Sequence, residues 1–399
     1  MKQLDYRFFP IPILGFFRVA NAVGIGLVIP LYYLNLGYTP DLIGLLSSAM
    51  TITYIFSTIL FNKIAKKWNY KISLIISSVA MFLIQLTFQF DLDPYFFLIM
   101  RLIEGIFLGL FWPVLSASIS LLTSIESVEN DETLKNRIMR TYTFSWNSGG
   151  IFGFLVGTIL LFVISDLELI FDVSLLYSLI ILIISLFFVN PKQYSYSSSI
   201  DTLVKNPSTD KKNQNENLGS IPLFLSIATL LLYGFIGNSF KFLYPIKSEL
   251  LDLPLFTNYL LSFILSTSQL IFTTYGMSFS LKWLKKLTLV SLLINVATFF
   301  VLFLSSNLII FGALFVSMGM SVSFLYIFSF KTIISKNVLE KTSKYSYYFE
   351  STIGGGFFLG PVISGFLANI GLNFALISFV FLSMIILVSF LLLLKLDLF

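Results

Sequence analysis

Residues 190–219 read NPKQYSYSSSIDTLVKNPSTDKKNQNENLG. The stretch is rich in Ser, Asn, Lys and Pro, so it cannot bury enough apolar surface to fold by itself. Long apolar runs, separated by short polar or charged segments, lie on both sides of it. It therefore marks a tether that divides the chain into two apolar halves.

The composition of the whole chain indicates a membrane protein. Of its 399 residues, 57% are hydrophobic and only 11% are charged, and the mean hydropathy is +0.90. A soluble domain carries about a quarter charged residues, so this chain has too little polar surface for water. Cytosolic enzymes, nucleic-acid binders and secreted modules are excluded despite the net charge of +5. The chain has no Cys and no His, which excludes disulfides and the metal sites built on those residues.

The apolar runs are long enough to cross a bilayer, which takes about 20 residues per helix. Two boundaries between runs are short, at residues 91–94 and at residues 305–307. The predicted spans lie near residues 11–33, 40–62, 70–90, 94–122, 140–164, 169–189, 221–246, 255–280, 285–305, 306–330, 345–369 and 372–394.

The placement of basic residues supports twelve spans. If the spans alternate in direction, 21 of the 25 basic residues fall on the side of the N-terminus. The four exceptions are Arg18, Arg101, Lys241 and Lys247. Because Lys and Arg are enriched in cytoplasmic loops, we predict a cell-membrane protein with both termini in the cytoplasm.

The two halves resemble each other at corresponding spans. We predict an all-α integral membrane fold of two six-helix bundles, with an N-terminal bundle over residues 1–190, a cytoplasmic linker over 191–219 and a C-terminal bundle over 220–399. Parallel duplication of this kind is common in transporters. At an offset of 215 positions Pro30 matches Pro245 and Leu45-Leu46-Ser47 matches Leu260-Leu261-Ser262, and at 207 positions Gly149 and Gly153 match Gly356 and Gly360.

Several motifs resemble those of the major facilitator superfamily of secondary transporters. In the fourth span, Arg101-Leu-Ile-Glu104-Gly105-x-x-x-Gly109 is similar to the family's Arg-x-x-Gln-Gly pattern, with Glu in place of Gln. Gly149-x-x-x-Gly153 resembles its glycine-rich gating motif without the proline, and the eleventh span keeps the pair Gly360-Pro361. The loop 62–71 departs from the family's basic motif, since Asn replaces both glycines and Lys66 replaces the acid.

The resemblance implies a monomeric transporter that moves a small solute by alternating access, through a site lined by spans 1, 4, 7 and 10. It implies neither a cofactor nor a nucleic-acid partner. The chain has no phosphate-binding GxxxxGK[ST] motif for ATP hydrolysis, so we expect a proton or solute gradient to drive transport, with the proton favoured. An anionic, zwitterionic or amphipathic solute is expected because the interior cations outnumber the acids.

Charged residues inside spans are the first candidates for the site, because each costs about 2.5–3.5 kcal/mol at a helix centre on insertion scales. Arg18 has no acidic neighbour on its own span, and Asn21 follows one turn later. Arg101 and Glu104 lie three positions apart and share a helix face. They either contact an anionic solute and a proton or form an internal ion pair.

The other candidates have structural alternatives. Lys241 and Asn238 belong to a polar stripe on span seven, where Lys241 either faces the site or extends to the membrane surface. Gln269 on span eight and Asn147 on span five either contact solute or bond between helices. Glu350 on span eleven either carries protons or closes a gate with a basic residue such as Lys331 or Lys344.

Small residues on three spans predict close helix packing, with a gating role implied by the resemblance. They are Gly105, Gly109, Gly149, Gly153, Gly356, Gly360 and Pro361.

Two other functions stay open at this point: a membrane sensor or partner subunit that does not transport, and a membrane-embedded enzyme acting on a lipid-linked substrate. The second needs a cluster of acids or a nucleophile near one membrane face, and the spans offer neither.

Overall fold

The computed structural model describes residues 8–67, 69–90, 92–123, 132–189, 223–339 and 344–395. Within these ranges the chain is helical and contains no strand. Each predicted span corresponds to one helix. The helices are α1 Pro10–Asn35, α2 Pro40–Lys67, α3 Tyr70–Thr87, α4 Pro94–Thr123, α5 Glu132–Val163, α6 Glu168–Phe187, α7 Leu223–Leu250, α8 Phe256–Gly276, α9 Leu281–Leu304, α10 Leu308–Leu339, α11 Lys344–Ile370 and α12 Leu372–Lys395.

Capping side chains form the two short breaks between apolar runs. The Asp93 carboxylate accepts hydrogen bonds from the backbone N–H groups of Tyr95 at 3.0 Å and Phe96 at 3.1 Å, at the start of α4. The Asn307 side chain accepts one from the backbone N–H of Ile309 at 2.8 Å, at the start of α10. Each cap satisfies N–H groups that have no partner within the helix, so a few polar residues are enough to end one span and begin the next.

Eleven of the twelve described helices are long and apolar enough to cross a membrane. The exception is α8, which carries many hydroxyl and amide side chains. Its Thr257, Asn258 and Ser262 are buried, and the helix packs between α5 and α10. Polar groups that face protein need not face lipid, so α8 keeps its place among the spans in spite of its lower hydropathy.

Helix contacts repeat from one half to the other. In the first half α1 packs on α5 and α6, α2 on α4, and α3 on α4 and α6; in the second, α7 packs on α11, α8 on α10, and α9 on α10 and α12. The halves meet through α2 with α11 and through α5 with α8. This architecture confirms the predicted fold class. The linker 191–219 lies outside the described residues, so the exact boundaries of the bundles stay a prediction.

Glycines lie where helix backbones approach most closely. A Cβ atom added to Gly149 or Gly153 on α5 would come closer than 3.0 Å to backbone atoms of α1, and one added to Gly356 or Gly360 would meet the backbone of α7 in the same way. On α4, Gly105 and Gly109 face α2 equally closely. Pro361 lies inside α11, where its carbonyl oxygen faces Gly44 of α2. These residues therefore occupy helix crossings, while their gating role stays a prediction.

Candidate functional site

Three charged side chains form a buried cluster in the N-terminal half. The Arg18 Nη2 atom of α1 lies 3.1 Å from Glu104 Oε1 of α4, and the Arg101 Nη1 atom lies 2.5 Å from Glu104 Oε2. The three residues are 1%, 0% and 3% exposed, in the order Arg18, Glu104 and Arg101. The acidic partner of Arg18 therefore lies on another helix, and one carboxylate forms ion pairs with two guanidinium groups.

The surroundings of this triad hold Arg18 in place. Its Nη1 atom donates a hydrogen bond to Asn21 Oδ1 at 2.8 Å. The Asn21 amide donates in turn to the backbone carbonyl and the hydroxyl of Ser174 on α6, at 2.8 and 2.7 Å. The Nε atoms of Arg18 and Arg101 are buried without a hydrogen-bond partner. With two cations and one anion, the triad carries a surplus positive charge.

A second ionisable group lies on the opposite half. Glu350, on α11, accepts a hydrogen bond from the hydroxyl of Tyr54 on α2, at 3.0 Å. In the part of the chain that the structure describes, Glu350 makes no ion pair. Lys331, a predicted partner, instead donates to the backbone carbonyl of Phe279 at 2.8 Å, and the Lys344 side chain lies outside the described set. The partner of Glu350 is therefore a tyrosine of the other half.

Aromatic rings from both halves form a cluster around Tyr326. The ring of Tyr326 on α10 lies 5.3 Å from that of Tyr233 on α7 and 6.4 Å from that of Trp146 on α5, centroid to centroid. It also contacts Phe349, at 5.8 Å. These rings come from both halves, so the cluster is assembled only when the two bundles pack together.

The centre of this assembly is partly accessible. Glu350, Trp146, Tyr142 and Tyr233 lie on helix faces directed at the other half, yet each keeps some accessible surface. Tyr142, Tyr233 and Tyr326 are close enough to Glu350 to interact with it electrostatically. The side chains at this junction are therefore not completely covered by the two bundles. We call the set Tyr54, Tyr142, Trp146, Tyr233, Tyr326 and Glu350 the central site.

The remaining predicted residues lie apart from this set or at its edge. Asn147 and Asn238 donate to carbonyl groups of their own helices, at Thr143 and Gly234, both at 2.8 Å. The Gln269 amide donates to the Tyr233 hydroxyl at 3.4 Å, which places it at the edge of the central site. The Lys241 Nζ atom lies 5.6 Å from the centroid of the Phe154 ring, on α5 of the other half.

The sequence prediction missed the four tyrosines of the central site. The internal repeat contains a signal for one of them, because Arg18 corresponds to Tyr233 at the offset of 215 positions. At the same offset Tyr54 corresponds to Gln269. Tyr54 and Tyr233 belong to the central site and Gln269 lies at its edge, so the repeat position of a charged residue can indicate a residue of the site.

A family model described as the Major Facilitator Superfamily matches residues 13–349. The chain belongs to this superfamily. The match runs from α1 to the start of α11 and covers most of both bundles, which confirms the family that the motifs predicted. None of the curated proteins searched matches the sequence.

Solved structures of the superfamily have the same overall fold. The crystal structure of the nucleoside transporter NupG aligns with a TM-score of 0.68 at 15% identity and covers 98% of this chain and 100% of its own. A single-substitution mutant of NupG aligns with the same TM-score and identity, over 96% and 99%. At this identity the likeness concerns the fold. The chain is thus a multi-pass membrane protein of a transporter superfamily.

Proposed function

We propose that this protein is a secondary active transporter, and not an enzyme, that moves a small solute across the cell membrane by alternating access coupled to protons. The hydrogen bond between Tyr54 and Glu350 carries the proposal. It joins the two bundles at a partly accessible site and involves an acid that has no cationic partner among the described residues. Such a group can respond to a proton and to the relative position of the bundles at once.

Contacts between the bundles support a rocking motion. We call the end of the assembly that holds Pro10 the terminal face and the end that holds Pro40 the opposite face. Towards the opposite face, the Tyr259 hydroxyl of α8 donates to the Gly24 carbonyl of α1 at 2.8 Å, and the rings of Phe162 and Phe256 lie 5.3 Å apart. These contacts support a state in which the bundles are held together at this face. With both termini placed in the cytoplasm, as we propose, this face is external.

Of the two predicted proton carriers, Glu350 fits better than Glu104. Glu104 lies between two guanidinium groups, and loss of its charge would leave two buried cations without an anion, at a cost of several kcal/mol. Glu350 bonds to a neutral hydroxyl, so its protonation leaves no buried cation unpaired. We assign the triad to holding α1 and α4 together and Glu350 to proton coupling, by symport or antiport, in a monomer.

Flux measurements in proteoliposomes test this function. A panel of labelled anionic, zwitterionic and amphipathic solutes would be supplied to the vesicles with and without an imposed pH gradient. We expect the wild-type protein to accumulate at least one solute against its gradient. Glu350→Gln should abolish the accumulation and keep exchange down the gradient, because an amide cannot carry the proton.

Glu249→Gln is the matched control. Glu249 is an exposed acid at the end of α7 on the opposite face, so its removal should leave accumulation unchanged. Gradient-driven accumulation by the Glu350→Gln protein would contradict the coupling role. Binding of a solute without any exchange would favour the sensor function instead.

A further inference from the structure

The central site combines aromatic rings with a single carboxyl group. Glu350 keeps part of its surface accessible, and the hydroxyl of Tyr54 is its hydrogen-bond partner. The rings of Tyr233 and Tyr326 lie 5.3 Å apart with a tilt of 53°, and that of Trp146 lies beside them. Faces of aromatic rings attract cations because their quadrupole is negative there, and a carboxylate adds a full negative charge.

The cations near this space are not available to a solute. Arg18 is 1% exposed and its two terminal nitrogens are taken by Asn21 and Glu104. Lys241 lies over the ring of Phe154, more than two turns along α7 from Tyr233 towards the opposite face. The central site therefore presents a carboxyl group and no cationic side chain, which reverses the expectation drawn from counting interior charges.

We propose that the central site binds a flat aromatic group that bears a positive charge, such as an aryl ammonium or a pyridinium ion. The charge lies at Glu350 and the ring lies against Tyr233 and Tyr326. This assignment rests on the proposed function and narrows its solute class to amphipathic organic cations. Since a protonated Glu350 has no charge to offer, a monovalent cation and a proton compete for its carboxylate, and the protein exchanges one for the other.

The groups that face Glu350 allow this exchange. From the elements packed against α11, Tyr54 of α2, Tyr233 of α7 and Tyr326 of α10 face it, while α12 has no ionisable side chain over residues 372–394. Tyr142 of α5 also lies near it, and Arg18 interacts electrostatically with Tyr54. The carboxylate is thus the strongest acid of this set, because tyrosine hydroxyls ordinarily hold their protons to a far higher pH than carboxyl groups do.

Three matched probes test the proposal by calorimetry on the purified full-length protein. They are 1-methyl-4-phenylpyridinium, the neutral biphenyl-4-methanol and the anionic biphenyl-4-carboxylate, which share two rings and differ in charge. We expect the pyridinium ion to bind at least about tenfold more tightly than the other two, a difference that one charge contact can supply. Titration in two buffers of different ionisation enthalpy should detect proton release on binding.

Variants locate the binding. Glu350→Gln should weaken pyridinium binding by about tenfold or more and abolish the proton release. Glu350→Asp should restore part of both, and Glu249→Gln should change neither. Tyr326→Leu should weaken binding of the cation without affecting proton release, because it removes a ring and keeps the acid. Thermal unfolding of each variant checks that it is folded.

Either of two results with the wild-type protein would overturn the proposal: failure of the pyridinium ion to bind, or binding of the anionic carboxylate probe as tight as that of the cation. Unchanged cation binding by a folded Glu350→Gln protein would overturn it as well. These results differ from failure of the proposed function, in which the cation binds with proton release but is not moved across proteoliposomes. If a solute of another class is transported and the cation does not bind, the proposed transport function is supported and the proposed cation site is contradicted.

Discussion

The two halves of this protein share their packing and differ at their centres. In the N-terminal half the Thr53 hydroxyl of α2 donates to the Leu102 carbonyl of α4 at 2.7 Å. In the C-terminal half the Ser268 hydroxyl of α8 donates to the Val316 carbonyl of α10 at 2.8 Å. These residues correspond at offsets of 215 and 214 positions, so duplicated helices keep the same hydrogen bond between the same pair of elements.

The charged triad has no counterpart in the second half. At the same offsets Arg18 corresponds to Tyr233, Arg101 to Phe315 and Glu104 to Met318. All three replacements carry no charge, and Phe315 and Met318 are fully buried apolar side chains. Backbone packing was thus retained through the duplication while the chemistry of the centre diverged. One half holds paired charges, and the other supplies rings and an acid that has no ion pair in the described ranges.

The largest test of this comparison removes the anion of the triad. Glu104→Gln should lower the free energy of unfolding by about 3–5 kcal/mol, because it leaves two buried guanidinium groups without a counter-ion. The matched change at the corresponding position, Met318→Leu, should cost less than about 1.5 kcal/mol since it conserves volume and polarity. Denaturant titration in mixed micelles measures both. Equal losses at the two positions would mean that the triad is not held together by its charges.

The glycine crossings should respond alike in both halves. Gly149→Ala and Gly356→Ala each place a Cβ atom against the backbone of a neighbouring helix, and overpacking of this kind costs about 1–3 kcal/mol. Gly312, on α10, has open space around it, and Gly312→Ala should be neutral or stabilise the helix by up to about 1 kcal/mol. A large loss of free energy of unfolding from the substitution in one half alone, measured by the same denaturant titrations, would contradict the shared packing.

The smallest expected effects concern the corresponding residues Tyr54 and Gln269. Tyr54→Phe removes a 3.0 Å hydrogen bond to Glu350 and should cost about 0.5–1.5 kcal/mol. Gln269→Met removes a hydrogen bond of 3.4 Å, and a bond of that length contributes little. Its cost should stay below about 0.5 kcal/mol. If Gln269→Met lowered the free energy of unfolding more than Tyr54→Phe did, the hydrogen bond between Tyr54 and Glu350 would not be the stronger of the two contacts.

The helices were predictable from the sequence, and the assembled site was only partly so. Apolar runs that end at Asp93 or Asn307 identify spans because lipid leaves little alternative to a helix. Arg18, Glu104 and Glu350 stand out because charges within spans are costly. Their partners do not stand out. Arg18 and Glu104 lie 86 positions apart in sequence, and no local pattern indicates that α1 and α4 bring them together.

The tyrosines of the central site could not be predicted from the sequence, for a different reason. The chain has 19 tyrosines and 45 phenylalanines, and in an apolar helix one ring resembles another until the neighbouring helices are known. Tyr54 and Tyr326 acquire a role only because α2, α10 and α11 converge on Glu350. Information of that kind lies in contacts between distant segments, which hydropathy and spacing do not contain.

Distances between spin labels on the two bundles test the central claim, that the halves rock around the central site. The chain has no cysteine, so labelled pairs can be introduced directly into otherwise wild-type protein. Phe90→Cys with Ile309→Cys reports on the opposite face, and Arg137→Cys with Lys282→Cys reports on the terminal face; all four side chains are exposed. Each pair would be measured with Glu350 intact and with Glu350→Gln, which mimics the protonated acid. We predict that the change lengthens one distance distribution and shortens the other, whereas two distributions that stay fixed or move together would contradict alternating access.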